Sequence, residues 1–379
     1  MKLIQRFFYV LTATLALSGC IQEEALNSEA AIDQCTGPEV QLASIDAINK
    51  TVNIYISRST DLSQLKLIFT LPDGATIAAD TQESGDNPPI YDFSTNNNRK
   101  FTVTSEDQQW KTTYVLSTIM SELPTVYHFD DLKDAATTPY HTFMEFQSRT
   151  STSDYRVMEW SSGNQGYNLT GMANTPMDYP TVQASNGVNR YCAKLETKNT
   201  GSLGAMVGMH IAAGNLFIGS FNVESLADAA KNTKFGYPFY QIPKELKGYY
   251  KYKRGENFQE GKNIVPGRLD YCDIYGIMYE TDDQVQLLDG TNSLTSDHLV
   301  LMARIAPESY AETDEWTPFS LTFEPVNGKS VDPIKLKEGK YKLSIVFSSS
   351  VEGASFNGAV GSTLYIDEVE LICENDSQY

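Results

Sequence analysis

Apolar residues alternating at period two, closely spaced turn signals and scarce helical periodicity predict an all-β chain built as two successive sandwiches. In residues 38–121, Val52, Ile54 and Ile56 alternate with polar neighbours. Leu65, Leu67 and Phe69 do the same, as do Phe101 with Val103 and Tyr114 with Leu116. This period places one strand face on a core and the other in water. Pro72-Asp73-Gly74, Ser84-Gly85-Asp86 and Asn96-Asn97-Asn98 punctuate the runs. About seven short strands fit a small sandwich.

The chain opens differently. Lys2 and Arg6 head an apolar stretch from Phe7 to Leu17, followed by Leu17-Ser18-Gly19-Cys20. A positive start, an apolar segment and small residues at the cut are the layout of a secretory signal, here residues 1–19. The stretch is too short for a membrane-spanning helix. Cys20 after the small pair resembles the lipobox of bacterial lipoproteins, which implies lipidation of Cys20 and an outer-membrane tether. Residues 20–37 are polar and acidic, a flexible tether reaching about 60 Å when extended and roughly 23 Å as a coil. Glu23 and Glu24 resemble the acidic signal that directs lipoproteins to the outer face of the cell.

Loss of Lys2 and Arg6 with the signal takes the net charge from −19 to −21. Such an acidic surface repels nucleic acid, which excludes that partner. Cys35, Cys192, Cys272 and Cys373 remain as two disulfides or as buried thiols, and spacing leaves both open. No Cys-x-x-Cys is present.

Residues 124–375 form the second, larger unit. Strand-like runs are Lys194–Lys198, Leu216–Phe221, Tyr271–Glu280, Leu299–Ile305, Phe319–Phe323, Tyr341–Phe347 and Leu364–Ile372. Only Val223–Asn232 has helical character. So many strands over this length suit a β-sandwich jelly roll with long loops. The smaller unit, with Leu71-Pro-Asp-Gly-Ala-Thr-Ile77 and Phe101 to Val115, resembles the immunoglobulin-like spacers of surface lipoproteins.

Common enzyme motifs are absent: there is no Gly-x-Ser-x-Gly, no His-Glu-x-x-His and no phosphate-binding glycine loop. His128, His141, His210 and His298 are scattered. A glycosidase needs two flanking acids. In Asp367-Glu368-Val369-Glu370 an uninterrupted strand would send Asp367 one way and the two glutamates the other. Asp273 is the first candidate for a pocket acid. Asp130, in Tyr127-His-Phe-Asp-Asp-Leu132, and Asp367 resemble acids on the paired first and last strands of carbohydrate-binding jelly rolls, where they would hold a structural calcium ion.

Binding signals are stronger. Phe235-Gly-Tyr237-Pro-Phe239-Tyr240 precedes Tyr249-Tyr250-Lys-Tyr252-Lys-Arg254, and residues 231–254 carry seven basic side chains against one acid, Glu245. Aromatic rings stack on sugar faces, and nearby cations would favour acidic sugars. Alternation puts Tyr250 and Tyr252 on one face. Trp160, Asn164 and Tyr167 lie in a glycine-rich loop of the kind that rims pockets. The run Tyr271–Glu280 presents Asp273, Tyr275, Ile277 and Tyr279 on one face, unusually polar for a dry core. The expected ligand set is therefore Trp160, Asn164, Tyr167, Tyr237, Tyr250, Tyr252, Asp273, Tyr275 and Tyr279.

Several segments together resemble one family. They are Phe235-Gly-Tyr-Pro-Phe, Leu246-Lys-Gly-Tyr-Tyr-Lys-Tyr-Lys, Cys272 to Glu280, Trp316-Thr-Pro-Phe, and Phe347-Ser-Ser-Ser with Phe356 to Glu368. They look like the putative carbohydrate metabolism domain of Bacteroidetes lipoproteins. The resemblance implies a jelly roll with a deep pocket and an oligo- or polysaccharide partner. It brings no catalytic residue set. The expected function is carbohydrate binding at the cell surface, with a glycoside hydrolase using acids from separate strands as the alternative.

Overall fold

The computed structural model describes residues 26–374 apart from 57–59, 82–87, 121, 134–137, 149–154, 222, 224–227 and 307–311. The signal, Cys20, Glu23, Glu24 and the Ser84-Gly85-Asp86 turn lie outside the described residues.

The first unit is built on a five-stranded sheet. Its strands are β1 (Val40–Asp46), β2 (Thr51–Ile56), β3 (Thr76–Ala79), β4 (Asn98–Thr104) and β5 (Lys111–Met120), in the order β1-β2-β5-β4-β3. β2 and β5 run parallel, whereas the other pairs are antiparallel. Val52, Ile54, Ile56, Phe101, Val103, Tyr114 and Leu116 all point into one core, as period two requires. Ile32 and Cys35 join that core, and Gln34–Thr36 pairs with Ile68–Thr70. The folded unit thus begins inside the segment that the sequence assigns to the tether. Apolar burial outweighs the polar composition around Ile32.

The larger unit is a β-sandwich. Its strands are β6 (Val126–Tyr127), β7 (Thr181–Ser185), β8 (Tyr191–Glu196), β9 (Asn215–Phe217), β10 (Tyr237–Pro238), β11 (Pro243–Lys253), β12 (Asp273–Glu280), β13 (Leu299–Arg304), β14 (Thr313–Thr322), β15 (Glu324–Pro325), β16 (Tyr341–Ser348) and β17 (Thr363–Cys373). One sheet has the order β7-β8-β17-β11-β14, with β6 also on β17. The other runs β9-β16-β12-β13-β15, with β10 also on β16. Between them lies the main core, fed by Leu246 and Tyr250 of β11, Ile274 and Met278 of β12, Ile345 and Phe347 of β16, and Leu364 and Ile366 of β17. The chain is all-β in its framework, as predicted.

β17 departs from its predicted alternation. Glu368 takes a left-handed φ of 47°, and the pairing with β11 slips between Lys247 and Tyr249. The bulge changes the phase, so Leu364 and Ile366 before it and Val369 and Leu371 after it all enter the same core. Asp367 and Val369 therefore do not share a simple alternating face.

Helix is confined to short pieces: α1 (Asn164–Asn168), α2 (Gly201–Met206) and α3 (Pro333–Lys337). The helical expectation for Val223–Asn232 reduces to a single 3-10 turn at Ala229–Asn232, with residues 224–227 outside the described set. Cys35, Cys192, Cys272 and Cys373 are all free thiols, and burial pushes Cys35 and Cys192 up to about 12.

Candidate functional site

Because side chains alternate along a strand, the face of β12 turned away from the main core carries Asp273, Tyr275, Ile277 and Tyr279. The last three pack into a second apolar cluster with Phe217, Phe235 and Val346. Registry across three adjacent strands aligns Asn215, Ser348 and Asp273 in one row, and Phe217, Val346 and Tyr275 in the next. These two rows, one polar and one apolar, floor a cavity of about 510 Å³. Its size falls in the usual range for ligand sites. Loops wall it in: α1 contributes Gly166 and Tyr167, α2 contributes Leu203 and Met206, and Ser293 and Phe356 come from two later loops.

Asp273 is 4 % exposed and is the sole carboxylate among the described residues lining this cavity. Arg304 Nε donates to its Oδ1 at 2.9 Å and Nη2 to its Oδ2 at 2.7 Å. Burial pushes the Asp273 carboxyl above the usual carboxylate range, opposed by the guanidinium. The same contact raises Arg304 above its ordinary value against its own desolvation. Arg304 also lies over the Tyr275 ring, 5.8 Å from its centre. An adjoining outer hollow shares Val207, Met209 and Phe356 and adds Asp228, which pairs with Lys231 at 2.5 Å.

Of the expected ligand set, the structure brings Tyr167, Asp273 and Tyr275 to the cavity. The other six take packing positions. Trp160 is buried in the main core against Tyr127, Phe129 and Phe347. Asn164 is fully buried, donating to Thr181 O at 2.7 Å and accepting from Thr181 N at 3.1 Å, and so pins α1 to β7. Tyr237 gives its hydroxyl to Gly219 O at 2.7 Å, and Tyr279 gives its own to Phe235 O at 2.5 Å. Tyr250 and Tyr252 do share a face, but it is the face turned into the main core.

Two other expectations can be placed on the structure. The cations of residues 231–254 do not gather at the cavity: Lys244 pairs with Glu374, Lys247 with Glu370 and Arg254 with Glu312. Around Asp130 and Asp367 the expected pairing of first and last strands is present, since β6 pairs with β17. Asp130 accepts from Tyr191 N at 3.1 Å, while Asp367 accepts from Val188 N at 2.5 Å and Glu368 N at 2.9 Å. Among the described residues no cluster of three or more His, Cys, Asp or Glu is arranged to hold a metal ion.

Asn215, Ser348, Arg304 and the α2 residues escape sequence reasoning. Their place depends on strand registry and on loops that fold back over the sheet. Phe347-Ser-Ser-Ser was the nearest signal, since its first serine enters the polar row.

The architecture is a β-sandwich whose outer sheet face floors a loop-walled cavity. The chain belongs to the family described as "putative carbohydrate metabolism domain", which its residues 128–372 match. Residues 32–117 match a second family, "SGBP, N-terminal". Several solved structures are similar, two of them from Bacteroides species. One is a "putative glycoside hydrolase" of Bacteroides thetaiotaomicron, with 46% identity, 94% of this chain and 100% of that chain covered, and a TM-score of 0.75. The other, given the same description, comes from Bacteroides vulgatus, with 44% identity, 67% and 100% coverage, and a TM-score of 0.61. No curated protein matches the chain.

Proposed function

We propose that this is a lipid-anchored outer-membrane protein that captures carbohydrate at the cell surface in the cavity floored by β9, β12 and β16. The observation that carries the reading is the state of Asp273. It is the only carboxylate among the described cavity residues, and both its oxygens are held by Arg304. Hydrolysis of a glycosidic bond calls on two carboxyl groups about 5–5.5 or 6.5–9.5 Å apart, one of them free to give a proton. A carboxylate with both oxygens held by a guanidinium serves as an acceptor for sugar hydroxyls rather than as a proton donor.

The anchor rests on Leu17-Ser18-Gly19-Cys20, and display at the surface is supported by the match to SGBP, a domain type of Bacteroidetes surface glycan binding. The immunoglobulin-like unit of residues 38–121 acts as a spacer. The description of both solved relatives as glycoside hydrolases favours a second reading, in which the cavity cleaves what it binds.

A glycan array with the full chain, followed by chromatography of each bound glycan, tests the two together. Glycans that bind and are recovered intact are the expected result. Shortened products from any bound glycan would overturn capture in favour of hydrolysis.

A further inference from the structure

The polar groups of the cavity are largely spent on the protein itself. Tyr167 Oη donates to Asn199 O at 3.1 Å, Thr291 Oγ1 to Asp289 Oδ1 at 2.5 Å, Ser348 Oγ to Ser350 O at 2.8 Å and Ser350 Oγ to Asp270 Oδ2 at 2.6 Å. Thr200 Oγ1 is committed to the Met209 carbonyl. Asn215 Oδ1 already accepts from Gly163 N at 2.7 Å. A sugar reaching this floor would meet Asp273 and the Asn215 amide, while the other polar groups named here are already engaged. Each unmet hydroxyl there costs binding energy.

The mouth is built the opposite way from an ordinary protein surface. Leu169, Leu203, Met206 and Val207 line it while remaining 55%, 55%, 81% and 49% exposed. Inside, Phe217, Phe235 and Val346 continue the apolar lining. Contiguous exposed apolar residues at a cavity mouth mark a place where apolar ligand surface is taken up. Met206 adds an unbranched side chain that adapts to differing shapes.

Asp273 retains polar capacity. An ionised carboxylate offers about four lone-pair sites, and Arg304 uses two. Asp273 is therefore the one charged acceptor among the described lining residues, in a cavity lined mostly by apolar side chains.

We infer that the cavity takes a sugar bearing an apolar substituent, aryl or alkyl, with the substituent in the apolar space and sugar hydroxyls on Asp273. The inference rests on the reading of this cavity as the carbohydrate site. It adds that the decoration, rather than the sugar alone, supplies most of the affinity.

Calorimetric titration of the full chain tests it, using methyl, octyl and 4-nitrophenyl β-glycosides of glucose, galactose, mannose and N-acetylglucosamine below their micelle concentrations. For at least one sugar, the octyl or nitrophenyl glycoside is expected to bind tenfold or more tightly than the methyl glycoside. A larger gain for nitrophenyl assigns a flat aromatic group, and a larger gain for octyl assigns a chain. Leu203→Asp and Met206→Asp, both at exposed positions, should remove the gain with no change in melting temperature. Equal binding of methyl and substituted glycosides, or a gain that survives both variants, overturns the inference while leaving carbohydrate capture standing. If octanol and 4-nitrophenol alone bind as tightly as their glycosides, the carbohydrate reading falls and this inference with it. Absence of binding by every glycoside has the same consequence.

Discussion

Arg304 spans both carboxylate oxygens of Asp273, at 2.9 and 2.7 Å, from the neighbouring strand of the same sheet. The registry explains the reach. Arg304 stands opposite Tyr275, one side-chain position along from Asp273 on that face, so its long stem crosses the Tyr275 ring to arrive there. The two partners differ in exposure: the Asp273 side chain is 5% exposed and that of Arg304 35%. The consequences of breaking the pair are therefore unequal.

Arg304→Met strands a nearly buried carboxylate, whereas Asp273→Asn leaves a cation that can hydrate. Removal of one partner of a buried pair costs about 3–5 kcal/mol, and the exposed side of this pair lowers the second figure to about 1 kcal/mol. Urea unfolding at neutral pH should show that order. The Arg304→Met deficit should shrink toward acid pH, where the stranded Asp273 carboxyl takes up a proton. Equal losses in the two variants would contradict the assignment of Asp273 as the buried partner.

Tyr237 and Tyr275 separate packing from binding. Tyr237 packs beside the main core with its hydroxyl on Gly219 O, so Tyr237→Ala is expected to cost about 3–5 kcal/mol of stability. Its ligand affinity, measured well below the melting temperature, should stay within a factor of about two. Tyr275→Phe keeps the ring in its cluster and is expected to fold normally. Tyr275→Ala should lower affinity roughly tenfold, the loss of one aromatic contact. An unaltered affinity in Tyr275→Ala would remove this ring from the site.

These two tyrosines also mark how far the sequence reaches. Alternation in β12 correctly groups Tyr275, Ile277 and Tyr279, because a strand's period is a local property. Alternation groups Tyr250 with Tyr252 equally well, yet nothing in the pattern says that their face is the dry one. That distinction depends on which sheet covers it. The polar row of Asn215, Ser348 and Asp273 joins residues far apart in the chain through strand registry. The bulge at Glu368 was hidden for a related reason: its phase change follows from pairing with β11, and an Asp-Glu pair carries no glycine to announce a left-handed residue.

Asp270 holds the loop that walls one side of the cavity. Its Oδ2 accepts from Ser350 Oγ at 2.6 Å, Ala359 N at 2.7 Å and Ser362 Oγ at 2.7 Å, and its Oδ1 accepts from Tyr271 N at 2.8 Å. Asp270→Ala removes the shared acceptor of these four bonds at a position only 1% exposed. A loss of about 3–5 kcal/mol is expected, with faster amide exchange concentrated in residues 350–362. Exchange that rises uniformly over the whole unit would argue against a local role.

The tether has its own test. Cys20→Ala should leave the protein unlipidated and shift it from the membrane to the soluble fraction, since one cysteine carries the expected anchor. Unchanged membrane fractionation would defeat the lipoprotein reading.

Stability should fall as pH rises from about 4.5 to about 7, and Glu145 is the reason. This side chain is 3% exposed; its Oε2 accepts from His128 N at 3.1 Å and its Oε1 from Phe129 N at 2.9 Å. Phe129 sits at a left-handed φ of 56°, so the carboxyl braces a backbone shape that a bulky residue rarely adopts. Burial nevertheless dominates and pushes the carboxyl from 4.5 up to about 7. Between those values the folded protein holds a proton that the unfolded chain has released. The stabilisation is thus complete below 4.5 and is lost as pH rises through 7, a difference of roughly 3 kcal/mol. Asp367, raised by burial from 3.8 to about 6, acts with the same sign over a lower window. His141, lowered from 6.5 by burial, opposes Glu145 within this window, whereas Asp46, Asp61, Asp92, Asp178 and Asp282, held below the usual range by local hydrogen bonds, oppose it only in more acid solution. Urea midpoints measured from pH 4.5 to 8 at fixed ionic strength give the slope. Glu145→Gln should be less stable throughout, because an amide cannot accept from both backbone N–H groups with both of its atoms. Its pH profile should nonetheless be flatter than that of the unaltered protein. An identical slope in the two proteins would remove Glu145 as the titrating group.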